Sequence, residues 1–213
     1  MNSKAFIWDL DGTLLDSYEV IVSSLLATLG EFNVELDREE VYREVKMRSA
    51  NDLICDVESR YGIPFDDIKD RNTKISNLHK DKITAIRNAK EILSYLKEKG
   101  VRNYVFTHRG SSAPEVLSNL GIAGYFEEVI NGKDGFPRKP DPAAINYLVE
   151  KYDLDPQDTY YVGDRAIDVE CAVNAGIGSI LYLPEDSVVE ATGKETVIIG
   201  DLMEIQDLID AIK

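Results

Sequence analysis

The sequence predicts an α/β fold, in which helices cover both faces of a parallel sheet and a helical segment is inserted after the first strand. Three observations predict it. Short apolar runs alternate with helix-like segments over residues 88–212, which is typical of a parallel sheet. Residues 17–82 show helical periodicity without a convincing strand, which indicates an insertion of roughly 65 residues, large enough for a small domain. The 213-residue chain is 44% hydrophobic, enough for a substantial core.

The N-terminal elements are one strand and the helices of the insertion. Ala5–Trp8 is an apolar run of strand length that leads into two aspartates. From Ser17 the apolar residues recur at helical spacing as far as Gly30. Further helices of the insertion are predicted at Arg38–Lys46, Ala50–Tyr61 and Asp66–Lys82.

Strands and helices alternate over the rest of the chain. The predicted strands are Arg102–Thr107, Phe126–Ile130, Thr159–Gly163, Ser179–Leu183 and Thr196–Ile199. The predicted helices are Asn88–Lys99, Ser112–Leu120, Pro142–Tyr152, Ala166–Ala175 and Leu202–Ile212. Gly100, Gly121 and Gly176 follow three of these helices, where glycine commonly ends a helix.

The formal net charge of −15 argues against several classes of partner. An acidic chain repels phosphate backbones and anionic membrane surfaces, so neither nucleic acid nor a membrane is expected as a partner. A small anionic substrate is compatible if a local cation or metal overrides this field. The N-terminal segment lacks the apolar stretch of a signal peptide, and the two cysteines show no metal-ligand spacing. We therefore expect a cytoplasmic protein with reduced thiols.

Side chains suited to chemistry follow the predicted strands. Asp9 and Asp11 follow the first strand, Thr107 follows RNYVF, and Asp164 follows TYYVG. Lys139 lies in the loop after FEEVI. Ligands of open α/β sheets bind beyond the carboxyl ends of the strands, so we expect these side chains to converge at one edge.

This convergence predicts phosphoryl-transfer chemistry. Clustered carboxylates repel each other unless a cation neutralises them, and hard oxygen ligands with open positions suit Mg2+. One carboxylate can attack phosphorus, and a neighbour two residues on can protonate the leaving oxygen and then activate water. The Lys139 ammonium can neutralise substrate charge, and the Thr107 hydroxyl can hold a phosphoryl oxygen.

Four motifs carry a resemblance to a known family. They are DLDGTLLDS, Thr107 in VFTHRG, Lys139 in RKPDP, and GDRAID. In this order, and with the helical insertion, they resemble the haloacid dehalogenase-like (HAD) hydrolase superfamily, in its phosphoglycolate phosphatase-like and β-phosphoglucomutase-like branch. The resemblance covers nearly the whole chain. It implies a Rossmann-like core domain of residues 1–16 and 83–213, and an α-helical cap of residues 17–82 that closes over the site to exclude water.

The same resemblance implies a role for each residue of the motifs. Asp9 would be the nucleophile and a Mg2+ ligand. Asp11 would be the general acid and base, with its backbone carbonyl on the metal. Thr107 and Lys139 would hold the transferring phosphoryl group, and Asp164 would be a metal ligand.

Three further residues extend the predicted site. By resemblance, Asp168 would support the metal directly or through water, but it could also cap the helix Ala166–Ala175. His108 stands where the family often has asparagine, so it could contact substrate or only shape the loop. Arg48, expected between two inserted helices, is a candidate for binding an anionic substrate tail, or else a solvated surface residue.

The predicted function is a Mg2+-dependent phosphatase that hydrolyses a small phosphorylated metabolite, phosphoglycolate-like or a sugar phosphate, through an aspartyl-phosphate. A phosphomutase on the same scaffold would use the same residues and stays open as an alternative. A non-catalytic regulator is disfavoured because Asp9, Lys139 and Asp164 are all present. A dehalogenase is disfavoured by the presence of Asp11. An EF-hand is excluded because Gly12 falls at the fourth position of the motif instead of the sixth.

Overall fold

The computed structural model describes residues 4–210, which divide into two compact units. The larger unit comprises the described residues up to Leu15 and those from Ala85 onward. The smaller unit comprises Asp16–Thr84. That the smaller unit acts as a cap stays a prediction.

The larger unit is built on a parallel sheet. In chain order the strands are β1 (Ala5–Trp8), β2 (Leu15–Asp16), β3 (Thr84–Ala85), β4 (Arg102–Phe106), β5 (Glu128–Ile130), β6 (Thr159–Gly163), β7 (Gly178–Tyr182) and β8 (Val197–Ile199). Within residues 4–210, six of them form one sheet in the order β5-β4-β1-β6-β7-β8, while β2 and β3 pair separately. Each neighbouring pair in the six-stranded sheet runs parallel. The predicted α/β fold is therefore confirmed.

The described helix ends lie within one residue of the predicted ones, except at the end of the fourth helix and the start of the last. They are α1 (Tyr18–Glu31), α2 (Arg38–Met47), α3 (Ala50–Tyr61), α4 (Phe65–Leu78), α5 (Ala89–Glu98), α6 (Ala113–Asn119), α7 (Ala143–Lys151), α8 (Ala166–Ala175) and α9 (Ile205–Asp210). The prediction of one helix over Asp66–Lys82 is wrong at its end. The His79 N–H bonds to the carbonyl of Ser76, three residues back, which closes α4 with a tight turn before a short 3-10 helix at Lys80–Lys82.

The last predicted helix, Leu202–Ile212, also begins differently. Leu202–Glu204 is a 3-10 turn, and the α-helix starts only at Ile205. The side chain of Asp201 accepts the Met203 N–H at 2.9 Å and caps this tighter turn. The predicted end at Ile212 lies outside the described residues.

The strand β1 runs through the middle of the larger unit. Phe6, Ile7 and Trp8 are fully buried, as expected for a parallel strand covered on both faces. The register pairs Trp8 with Val105 of β4 on one side and with Val162 of β6 on the other. The residue that follows β1 therefore lies between the carboxyl ends of β4 and β6, which positions the site described below.

The smaller unit is helical and has a core of its own. The helices α1 to α4 enclose buried aliphatic side chains that include Val22, Leu25, Leu29, Ile54 and Ile68. Among the helices of residues 4–210, none combines the length and the apolar character needed to cross a bilayer.

Candidate active site

Asp9 lies at the centre of the sheet edge. It directly follows β1, and its N–H donates to the carbonyl of Val162 at 2.8 Å. Thr107 directly follows β4 and Asp164 directly follows β6, the two neighbours of β1. The parallel arrangement thus brings together three strand ends that lie far apart in sequence, as the sequence predicts.

Three carboxylates converge behind this edge. Asp9, Asp164 and Asp168 each offer an oxygen, and these oxygens lie within 4.8 Å of one another. All three residues are buried. The Thr13 hydroxyl donates to Asp164 Oδ1 at 3.3 Å and helps to orient it.

Gly163 allows the close approach of Asp168 to β6. A Cβ at position 163 would lie 2.3 Å from both Cβ and Cγ of Asp168. Real Cβ atoms essentially never make so short a contact. The glycine of the sequence GDRAID is therefore required by the packing of the carboxylate cluster.

Lys139 is the cation of the cluster. Its Nζ lies 2.9 Å from Asp9 Oδ1 and 2.7 Å from Asp168 Oδ1, and its side chain has no exposed surface. The ammonium also sits over the rings of Tyr161 and Phe106, at 5.1 and 5.5 Å from their centroids. Burial opposes the charge, but the carboxylates of Asp168 and Asp9 raise the pKa of Lys139, so it stays protonated.

The cluster has an excess of negative charge that fits a divalent cation. Burial raises the pKa of Asp9, Lys139 lowers it, and the neighbouring Asp168 carboxylate raises it again. The positive charges of Lys139 and Arg165 act on this group, but the carboxylates of Asp9, Asp164 and Asp168 outnumber them. Buried carboxylate oxygens without soft ligands form the donor set that Mg2+ prefers, so the residues present fit this ion.

Asp168 has one of the two roles considered for it from the sequence, that of a helix cap, and its support of a metal stays a prediction. Its Oδ2 accepts the Arg165 N–H at 3.1 Å, which caps the start of α8. Its Oδ1 accepts from Lys139. The carboxylate that caps α8 therefore also contacts the lysine of the cluster.

Thr107 is held with its hydroxyl inside the site. It is 1% exposed, and its N–H donates to the carbonyl of Ile130 at 3.0 Å. Its Oγ1 accepts the Arg109 N–H at 3.1 Å, which tightens the loop after β4. This geometry is compatible with the predicted role of holding a phosphoryl oxygen.

Asp11 is separated from Asp9 by a single residue but has a different environment. Gly12, at φ +84°, turns the chain immediately afterwards, as the Asp-Gly pair predicts. The Asp11 carboxylate is 23% exposed and forms an ion pair with Arg109, a residue that the sequence analysis missed. The sequence does contain a signal for Arg109: it is a basic residue two positions after Thr107, at the predicted edge of the sheet, in a chain that is acidic as a whole.

His108 contacts the loop that carries Lys139. Its Nε2 accepts the Lys139 backbone N–H at 2.7 Å, and its Nδ1 lies 3.0 Å from Arg138 Nη2. Burial, together with the charges of Lys139 and Arg138, lowers the pKa of His108 to about 2, so the ring is neutral. Two interpretations of His108 were open, contact with substrate and shaping of the loop. The contact with Lys139 supports the second.

Arg48 lies in the smaller unit, at the C-terminal end of α2. Its Nη1 lies 2.9 Å from Glu44 and 2.5 Å from Asp56, and its side chain is 46% exposed. The guanidinium is thus already paired with two carboxylates of its own unit. Its predicted contact with a substrate tail stays a prediction.

Comparison with known proteins identifies the family. Residues 6–182 match the model of the haloacid dehalogenase-like hydrolases, so the chain belongs to this family. The predicted resemblance and the predicted enzyme class, a hydrolase of this superfamily, are confirmed.

Two curated relatives and one solved structure illustrate the similarity. A phosphoglycolate phosphatase of Vibrio parahaemolyticus is 30% identical over 194 residues, which cover 83% of this chain and 82% of the relative. A relative from Caldanaerobacter subterraneus, provisionally named a pyrophosphatase, is 27% identical over 183 residues. The matched residues cover 84% of this chain and 81% of the relative. A haloacid dehalogenase-like hydrolase from Bacteroides fragilis superposes with a TM-score of 0.82 at 20% identity over 95% of this chain and 99% of that one.

Proposed function

We propose that this chain is a Mg2+-dependent phosphatase that hydrolyses a small phosphorylated metabolite through an aspartyl-phosphate on Asp9. The observation that carries the proposal is the placement of Asp9. The residue is 2% exposed, 2.9 Å from the Lys139 ammonium, and within reach of two further buried carboxylates. A carboxylate so placed meets a requirement for nucleophilic catalysis, since a fixed cation beside it can accept the charge of an incoming phosphoryl group.

The first step is attack of the Asp9 carboxylate on phosphorus. A bond forms between a carboxylate oxygen and phosphorus, and the bond from phosphorus to the leaving oxygen breaks. Lys139 and the Thr107 hydroxyl bind the phosphoryl oxygens and stabilise their developing charge. Asp168 acts through Lys139, because its Oδ1 holds the ammonium at 2.7 Å.

Asp11 handles the proton in both steps. It donates a proton to the leaving alcohol oxygen in the first step. In the second step it takes a proton from the water that attacks the phosphorus of the aspartyl-phosphate, and this regenerates Asp9 and releases inorganic phosphate. Proton transfer of this kind is worth about 10²–10⁴-fold in rate.

Mg2+ would be held by the carboxylates of Asp9 and Asp164 and the backbone carbonyl of Asp11, with Asp168 supporting the site. When bound, the ion supplies positive charge that offsets the excess of carboxylates and that of the transferring phosphoryl group. The raised pKa of Asp9 supports this assignment, since burial and the Asp168 carboxylate oppose ionisation even beside Lys139, and a further cation would favour the charged form.

The proposed substrates are small phosphate monoesters, phosphoglycolate-like or sugar phosphates. The relatives named as phosphoglycolate phosphatases support the first of these. The smaller helical unit is proposed as the cap that excludes bulk water from the leaving group. The phosphomutase alternative stays a prediction that no described contact favours.

The test is phosphate release by the purified chain from a panel of phosphorylated metabolites. Activity that is abolished by EDTA and restored by Mg2+ is expected, and the Asp9→Asn variant should release none. Glu170→Gln is the matched control, because Glu170 is an exposed acid on α8. Release of no phosphate from any compound, or full activity of Asp9→Asn, would contradict the proposal.

A further inference from the structure

Asp11 and Arg109 form a bidentate ion pair at the sheet edge. Arg109 Nε lies 3.0 and 3.2 Å from the two carboxylate oxygens of Asp11, and Arg109 Nη2 also contacts Oδ1. The Arg109 side chain is only 10% exposed. This is the planar, fork-like geometry in which a guanidinium recognises an oxyanion.

The loop that carries Arg109 is fixed from several sides. The Arg109 N–H donates to Thr107 Oγ1 at 3.1 Å, and its carbonyl accepts the Gly132 N–H at 2.8 Å. A Cβ at position 132 would lie 2.8 Å from the His108 carbonyl, so glycine permits this close approach. Arg109 is therefore held next to the site by its backbone, unlike a surface arginine on a free loop.

The pair conflicts with the role proposed for Asp11. Both oxygens of the Asp11 carboxylate are engaged by the Arg109 guanidinium, so neither is available to the leaving oxygen of a substrate. Turnover therefore requires that Arg109 releases Asp11. A guanidinium with so little exposure is costly to leave without a counter-charge, so its release requires another oxyanion in the place of the Asp11 carboxylate.

We propose that Arg109 determines substrate specificity by exchanging Asp11 for a second oxyanion, a carboxylate or a phosphate, on the leaving part of the substrate. This inference rests on the proposed function and adds the substrate class: a small phosphate monoester with an additional anionic group. Binding of that group frees Asp11 for proton transfer, so substrate recognition and the chemical step are coupled through one residue.

The test compares three substrates that differ in the second group. Phosphoglycolate carries a carboxylate, ethylene glycol bisphosphate carries a second phosphate, and ethyl phosphate carries neither. Charge-assisted hydrogen bonds of this kind are worth roughly 10- to 100-fold, so the wild-type kcat/KM should favour at least one doubly charged substrate over ethyl phosphate by that factor. Which one is favoured distinguishes a carboxylate from a phosphate.

Arg109→Gln should abolish this preference, and it should affect the doubly charged substrate and ethyl phosphate in different ways. The kcat/KM for the doubly charged substrate should fall roughly 10- to 100-fold, while kcat for ethyl phosphate should rise, because Asp11 is no longer held. A residue with a merely structural role would lower both values together. Arg87→Gln is the matched control, since Arg87 is 79% exposed and pairs with Asp201 on the surface of the same unit.

Two further measurements keep the test decisive. Arg109→Lys retains the positive charge but lacks the planar, bidentate geometry of the guanidinium, so it should reduce the preference only in part. If phosphoglycolate is the favoured substrate, phosphonoacetate should inhibit the wild-type chain more strongly than ethylphosphonate, which lacks the second anion. An unchanged substrate ratio in Arg109→Gln or Arg109→Lys overturns the inference, as does equal inhibition by the two phosphonates when phosphoglycolate is the favoured substrate. Absence of phosphate release from every substrate would instead contradict the proposed function.

Discussion

The neutral state of His108 makes a prediction about stability that does not depend on any substrate. Its Nε2 accepts the Lys139 N–H at 2.7 Å, and burial beside Lys139 and Arg138 lowers its pKa from 6.5 to about 2. Below pH 6.5 the unfolded chain takes up a proton at this position and the folded chain does not. The free energy of unfolding therefore falls as the pH decreases, from about 6.5 down to the pKa of the folded state.

The magnitude follows from the two pKa values. Between pH 7.5 and 5.5 the difference in proton uptake should cost the wild type about 1.4 kcal/mol of unfolding free energy. His108→Gln retains a side chain that can accept from Lys139 but cannot titrate, so it should not show this loss. All other titrating groups are shared, and the difference between the two chains isolates His108.

The assay is urea unfolding of both chains at pH 7.5 and 5.5. The wild type should lose about 1.4 kcal/mol more than His108→Gln over this interval. Equal losses in the two chains would refute the reasoning, because they would mean that His108 takes up its proton in the folded state. An NMR titration of the His108 ring provides an independent check, since its shifts should stay constant over the same range.

Two further predictions concern the carboxylate cluster. Gly163→Ala should destabilise the chain by about 1–3 kcal/mol in urea unfolding and should lower kcat, because the added Cβ would lie only 2.3 Å from Asp168. Gly124→Ala is the control, since a Cβ at position 124 would have nothing within 4 Å. Equal effects of the two substitutions would contradict this packing. Asp164→Asn should weaken Mg2+ binding in calorimetry, while Glu170→Gln should not, and unchanged affinity in Asp164→Asn would remove it from the ligand set.

The placement of the central residues could be predicted because it follows from topology. Asp9, Thr107 and Asp164 each follow an apolar run, and the carboxyl ends of neighbouring parallel strands meet at one edge whatever the loops do. The strand β1 is flanked by β4 and β6, so these three residues had to be neighbours once the strand order was set. The apolar runs themselves predict the sheet because both of its faces are buried.

The contacts that modify the site could not be predicted in this way. The pair of Arg109 with Asp11 and the contact of His108 with Lys139 depend on the path of the loops after β4 and β5. Loop paths are set by local turns and packing, such as the hydrogen bond from Gly132 to the Arg109 carbonyl, and leave no periodic pattern in the sequence. The early end of α4 was missed for a similar reason, since its polar C-terminal half continues into residues that are equally polar.

The central claim is that Asp9 becomes phosphorylated, and an acid-quenched Asp11→Asn variant tests it most directly. With a dinitrophenyl phosphate the leaving group needs no proton, so attack by Asp9 should proceed while the hydrolysis step, which needs Asp11 as a base, is slowed. Peptide mapping should then find a hydroxylamine-sensitive phosphoryl group on Asp9, and none in the Asp9→Asn, Asp11→Asn double variant. Phosphate release by Asp11→Asn without labelling of Asp9, or a label on another residue, would contradict the account.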